Sequence, residues 1–194
     1  GNRAAFVEIC LACARLGAVS VPINIRQRKP ENEYVLRHSG AVAAVYEADL
    51  HDQMPAPESV PDLHYRFAVG GSAPGAEPYE SLLAPGVSPP PENAPGEDEP
   101  FCILYTSGTT GRPKGAVLTH YGVVHSCLNY QHCMGLRAGD RAVLAVPASH
   151  VTGLVAIILA MVQVRGAIVM LPTFKARAYL DLVAAERVTY TVAV

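Results

Sequence analysis

Residues 101–194 constrain the fold most, because strand-length apolar runs there alternate with helix-length ones. "FCILYT" at 101–106 is apolar on both alternating faces, the pattern of a strand buried on both sides. A helix is expected at 120–134, a strand in "RAVLAV" at 141–146 and a buried helix at 151–164. A strand in "AIVML" at 167–171, a helix at 176–186 and a strand in "TYTVAV" at 189–194 complete the order. Such alternation predicts a layered α/β fold with a largely parallel sheet.

The first half follows a similar rhythm. Phe6, Ile9, Cys13 and Leu16 fall on one helical face, and Gly17 supplies a left-handed stop. "VSVPI" at 19–23 reads as a strand. Pro30 suits the first turn of a helix, Glu31 and Glu33 meet the positive end of its dipole, and the helix stops near Gly40. "AVAAVY" at 41–46 is the next expected strand. The polar stretch 51–61 reads as loop, and "LHYRFAV" at 63–69 as a strand with one wet face. Residues 70–100 hold too much proline and glycine for a central strand, and predict a surface connection with one helical turn at 79–83. The expected organisation is an α/β segment at 1–69, a connection at 70–100 and a second α/β segment at 101–194.

Charge and composition narrow the partners. A net charge of −2 with no basic stripe speaks against nucleic acid. The small cluster Arg26, Arg28 and Lys29 reads as a solvated loop. The apolar run at 151–164 is short for a membrane span and contains Gln163, and no signal peptide is visible. Five cysteines, spread through apolar segments, fit buried thiols in a reducing, cytoplasmic setting. Cys10 and Cys13 form a C-x-x-C inside a helical pattern with no second pair at zinc spacing, so core packing is expected of them. His120, His125 and His132 make no i, i+4 clamp, and no metal site is expected.

The chemistry gathers in "YTSGTTGRPKGAVLTH" at 105–120. Glycines let successive backbone N–H groups converge without a Cβ in the way, and such a nest of donors suits an anion. Thr106, Ser107, Thr109 and Thr110 add hydroxyls, and Lys114 adds a mobile positive charge. Arg112 is a further cation or a solvated one, and Pro113 stiffens the exit. The order of residues is not that of a Walker loop, which opens a helix. Here "AVLT" is strand-like, so a strand-loop-strand hairpin is expected, without help from a helix dipole. Read without a ligand, the same stretch is a Gly/Thr hairpin.

"YTSGTTGRPKG" resembles the signature phosphate loop of the adenylate-forming enzymes: acyl-CoA synthetases, nonribosomal peptide synthetase adenylation domains and luciferases. "CARLGAVSVPIN" at 13–24 resembles the early segment of acyl-CoA synthetases, and "VPASHVTGL" at 146–154 their P-x-F-H-x-x-G-L element. Ser149 stands where the family usually has an aromatic residue, which thins the implied wall of the acyl pocket. His150 matches the family's histidine, and the resemblance implies that it borders the acyl site near the reacting carboxylate. Read alone, His150 is a satisfied histidine at a strand end.

The resemblance implies an acid–thiol ligase that uses ATP, Mg2+ and coenzyme A on a small-molecule substrate, a carboxylic acid of any chain length or aromatic class. The carboxylate attacks the α-phosphorus, pyrophosphate leaves, and the thiol of coenzyme A takes the acyl group. Thr106, Ser107, Gly108, Thr109, Thr110, Gly111 and Lys114 are the implied ATP-phosphate contacts, with Lys114 carrying the catalytic role of stabilising the leaving-group charge. No aromatic-Gly-x-Thr-Glu segment, Thr-Gly-Asp element or C-terminal lysine domain follows. The chain also opens inside a helical pattern without methionine. The expectation is therefore an incomplete N-terminal domain, inactive without the missing remainder of its own domains. An adenylation domain loading a carrier protein and a non-catalytic phosphate-binding protein are the other readings. "LGAVSVPIN" and "SHVTGL" favour the CoA ligase, since an amino-acid adenylation domain would place an aspartate near the second element.

Overall fold

The computed structural model describes residues 1–84, 94–106 and 112–193. The chain forms two compact units. Gly1–Asn24, Asn93–Leu104 and Val117–Val194 make the first, and Ile25–Glu92 with Tyr105–Ala116 the second.

The first unit opens with helix α1 (Ala4–Leu16), stopped by Gly17 in the left-handed region at φ 70°. Its buried stripe differs from the expected one. Cys10 is buried and Phe6, Val7 and Ala14 pack against the core, while Leu16 is 58% exposed. The small side chains at Cys10 and Ala14 let that face approach the core closely. The expected strand at 19–23 is reduced to one parallel bridge, Ser20 to Cys102. Pro22 has no N–H to extend the ladder. Strands β4 (Pro100–Thr106) and β5 (Lys114–Thr119) are hydrogen-bonded neighbours and carry the chain from one unit to the other and back. Helix α3 (His120–Met134) starts where Thr119 Oγ1 accepts the Gly122 N–H at 3.1 Å, and ends at Gly135.

Strand β6 (Arg141–Leu144) then leads to a helix that is π-wound over Thr152–Leu159 and α-wound in α4 (Ala160–Val164). It returns to β7 (Ala167–Met170), parallel to β6 from Arg141–Ala167 to Leu144–Met170. Residues 153–161 are all buried, with Leu154, Ile157, Ile158 and Met161 fully so, which is why this stretch is apolar on every side; Val162 and Gln163 in the last turn are exposed. These residues centre the main core, which also takes in Phe101, Cys102, Leu104, Val123, Leu144 and Tyr190. Helix α5 (Ala176–Ala185) follows. Among the described residues, the strand expected at 189–194 makes one parallel bridge, Tyr190 to Ala142, with Tyr190 Oη donating to the Ala156 carbonyl at 3.0 Å.

The second unit holds helix α2 (Lys29–Ser39), begun where Glu31 Oε2 accepts the Arg28 N–H at 2.7 Å and closed at Gly40. Strands β1 (Ala43–Glu47), β2 (Tyr65–Val69) and the two-residue β3 (Glu77–Pro78) form a parallel sheet in that order. The expected loop at 51–61 contains two short 3-10 turns, Ala48–Gln53 and Pro57–Ser59, and the expected turn at 79–83 is a third, Tyr79–Leu83. Part of the 70–100 connection, residues 85–93, lies outside the described residues.

Candidate functional site

Each unit carries candidate functional residues of its own. In the second unit, β4 delivers Tyr105 and Thr106 at its end, and β5 begins at Lys114. Thr106, Arg112 and Lys114 are exposed, so a hydroxyl and two cations face solvent at the ends of adjacent strands. Ser107, Gly108, Thr109, Thr110 and Gly111, the centre of the expected phosphate nest, lie outside the described residues. The strand-loop-strand frame expected from the sequence is present on either side of them.

Two side chains of α2 touch this frame, and the sequence reading did not single them out. Tyr34 Oη donates to the Pro113 carbonyl at 3.1 Å. His38 Nδ1 lies 2.7 Å from Tyr105 Oη. The two rings are an i, i+4 pair on α2, stacked at 5.3 Å and 21°. His38 also meets the Tyr105 ring edge-on at 5.7 Å. Burial, with Tyr34 beside it, raises the Tyr105 hydroxyl pKa above its ordinary value, which keeps it protonated at neutral pH. The signal available in the sequence was the aromatic pair at helical spacing after Pro30.

In the first unit, His150 sits in a turn after β6, where its N–H donates to the Pro147 carbonyl at 3.0 Å. Its own carbonyl accepts the Leu154 N–H at 2.9 Å, which ties the turn to the following helix. The exposed imidazole is held through Nδ1. That nitrogen accepts the Thr152 N–H at 3.2 Å and lies 3.1 Å from Thr152 Oγ1. A backbone N–H can only donate, so the Nδ1 lone pair is engaged and the neutral ring carries its proton on Nε2. Ser149, half-buried, precedes it.

Asn2 fixes the same turn from far away in sequence. It is buried, its Oδ1 accepts the Ala148 N–H at 2.9 Å, and its Nδ2 donates to the Val146 carbonyl at 3.0 Å. Nδ2 also reaches the carbonyls of Leu144 and Leu171, each at 3.2 Å. One amide thus joins the ends of β6 and β7 to the turn that carries His150. Nothing local in the sequence marks Asn2, since its partners lie more than a hundred positions away. Gly153 completes the packing: a Cβ there would strike the Pro147 carbonyl oxygen and lie 3.0 Å from Ala148 Cα.

Cys10, Cys102 and Cys127 are buried in the main core, Cys13 is half-buried and Cys133 is exposed. All five are free. Burial pushes the Cys10 thiol up to about 12, helped by neighbouring Cys13 and Cys102, and raises Cys13 in the same direction. A thiol held protonated at neutral pH is a poor nucleophile and metal ligand. Among the described residues no group of three or more His, Cys, Asp or Glu side chains is placed to hold a metal ion. No described helix is long and apolar enough to cross a membrane.

Comparison with known proteins defines the class. The family model of AMP-binding enzymes matches residues 1–194. The chain belongs to the AMP-binding enzyme family. It is 32% identical over 190 residues to a feruloyl-CoA synthase of Amycolatopsis, covering 97% of this chain and 36% of that protein. It is also 32% identical over 195 residues to the long-chain-fatty-acid–CoA ligase FadD13 of Mycobacterium tuberculosis, covering 96% of this chain and 36% of that one. The fold matches a crystal structure described as a long-chain-fatty-acid CoA ligase of Rhodopseudomonas palustris, with TM-score 0.89 and 24% identity over 100% of this chain and 48% of the other. The chain thus spans about a third of the length of the curated relatives it matches.

Proposed function

We propose that this chain is the phosphate-loop portion of an ATP-dependent carboxylic acid:CoA ligase. The observation that carries the reading is "TSGTTGRPK" set between two paired strands, in a chain matched along its whole length by the AMP-binding family. A carboxylate is a weak nucleophile with the same sign of charge as the phosphates it must reach. Catalysis therefore depends on aligning the reactants and on spreading the charge of the departing pyrophosphate. The Thr106 hydroxyl and Lys114 ammonium are exposed where they can meet phosphate oxygens, and Ser107, Gly108, Thr109, Thr110 and Gly111 supply the remaining donors. Lys114 neutralises charge on the leaving group as the bond to the α-phosphorus breaks.

His150 presents an Nε2–H donor, and we assign it to the acyl-acid side, where a carboxylate oxygen is its natural acceptor. The acyl group then passes to the thiol of coenzyme A, and AMP leaves. The relatives' names span an aryl and a long-chain acid, and the small Ser149 side chain leaves room for either class of carboxylic acid. The five free thiols support a cytoplasmic setting.

Lys114→Ala in the full-length protein tests the assignment. Loss of one charge-assisted contact of about 1.5–3 kcal/mol should weaken binding of MgATP and of pyrophosphate on the order of ten- to a hundredfold. Calorimetric titration measures it, and unchanged binding of both ligands removes Lys114 from the site. The acceptor is tested separately, by whether thioester forms on coenzyme A or only on a carrier protein.

A further inference from the structure

The hydrogen bonds of Tyr34 and His38 fall next to Thr106 and Lys114, the two residues of the proposed phosphate site whose placement is described. Tyr105 is the residue before Thr106, and Pro113 is the residue before Lys114. We propose that Tyr34 and His38 of helix α2 are positioning residues that hold the two stems of the phosphate loop, and through them Thr106 and Lys114, in register for ATP. The proposal rests on the reading of this loop as the ATP-phosphate site.

The geometry supports it step by step. A peptide unit is planar, so fixing the Pro113 carbonyl fixes the plane that ends at the Lys114 N–H and Cα. The proline ring fixes φ on the other side of that carbonyl. Tyr34 therefore sets where the Lys114 side chain starts, without touching it. On the other strand, the 2.7 Å contact between His38 and the Tyr105 hydroxyl anchors the side chain next to Thr106. The two braces are coupled because their rings stack on one face of one helix. The helix is itself a firm base: Val35 and Leu36 are buried, and Asn32 Nδ2 donates to the Gln53 carbonyl at 2.9 Å. The hydroxyl of Tyr34 and the ring nitrogen of His38 thus hold positions that packing alone would leave loose. A side chain that acts in this way should affect phosphate binding and leave acid binding unchanged.

The test uses the full-length protein, with MgATP and a carboxylic acid that the wild type accepts, in acid-dependent ATP–pyrophosphate exchange. Tyr34→Phe keeps the ring and its stacking and removes only the hydroxyl. It should raise KM for MgATP and for pyrophosphate roughly three- to tenfold, the loss of one neutral hydrogen bond. KM for the acid should stay within about twofold, inside the range expected of a site with no shared partner. Tyr105→Phe, which removes only the His38 contact, should give the same pattern. Combining Tyr34→Phe with Lys114→Ala should cost less than the product of the two single effects, because the brace acts through the lysine. A Tyr34→Phe enzyme with wild-type KM for MgATP, or one in which both KM values rise together, overturns the brace while leaving the ligase reading intact. A wild-type protein without acid-dependent exchange overturns the ligase reading and the brace with it.

Discussion

Gly153→Ala should cost on the order of 3 kcal/mol of stability, the upper end of the range for an overpacked core site, and lower the thermal midpoint. The substituted methyl group would strike the Pro147 carbonyl oxygen, with the Pro147 carbonyl carbon at 2.9 Å and Ala148 Cα at 3.0 Å. All three are backbone atoms, so no side chain can swing away. The π-wound start of the helix must retreat, or the turn holding Ser149 and His150 must move. Activity should fall along with stability, because the Thr152 N–H that orients the His150 ring belongs to the segment that shifts. Gly122→Ala is the control. Its Cβ would meet only Thr119 Oγ1, at 3.4 Å, and alanine is the better helix former by about 1 kcal/mol. Scanning calorimetry of the two variants should show one midpoint falling and the other holding or rising. Equal midpoints would mean that the close approach at Gly153 is not a constraint.

Asn2→Leu should be about as damaging, for an electrostatic reason. The substitution is nearly isosteric, but it takes the amide away from the Ala148 N–H and from the carbonyls of Val146 and Leu171, while the Leu144 carbonyl keeps the Leu171 N–H at 3.0 Å. Each buried polar group left unpaired costs roughly 1–3 kcal/mol, and some relief by water brings the expected total to about 3–5 kcal/mol. Asn2→Asp separates shape from hydrogen bonding. It keeps the acceptor facing Ala148 but turns a second oxygen toward three carbonyl oxygens. Its carboxyl should therefore have a higher pKa in the folded state than in the unfolded one. A raised folded pKa means that the neutral form is favoured on folding. The variant should be most stable below about pH 4 and lose stability as pH rises through the folded pKa. Urea titrations at several pH values measure this. A pH-independent Asn2→Asp, with stability near wild type, would show that the amide does not hold the turn.

Local signals in the sequence located most elements. Thr119 and Gly135 bracket α3 at the expected limits, because an N-cap hydroxyl and a left-handed glycine act within a few residues. The parallel β6-helix-β7 unit was legible from run lengths and all-round apolarity. Features that depend on distant partners were less so. The stripe of α1 turned toward Cys10 and Ala14 because the core selects small residues there, which periodicity does not encode. The strands expected at 19–23 and 189–194 shrank to single bridges, since apolar character shows that a segment is covered but not how far its ladder extends.

The candidate site divides in the same way. The loop sequence, Lys114 and His150 stand out because their chemistry is written in the residue types. Their supports do not. Asn2 works through partners at the other end of the chain, and Tyr34 through the carbonyl of Pro113, 79 positions on. A support of this kind can be read only after folding has brought it to the group it holds.

The decisive measurement is acid-dependent exchange of radiolabelled pyrophosphate into ATP, catalysed by the full-length protein across aryl and long-chain acids. If the loop binds the phosphates of ATP, exchange should require the acid, proceed without coenzyme A, and fall on the order of a hundredfold in Lys114→Ala, as when one preorganised donor to a developing charge is removed. Exchange that is absent with every acid, or that runs at the wild-type rate without Lys114, would contradict that role of the loop.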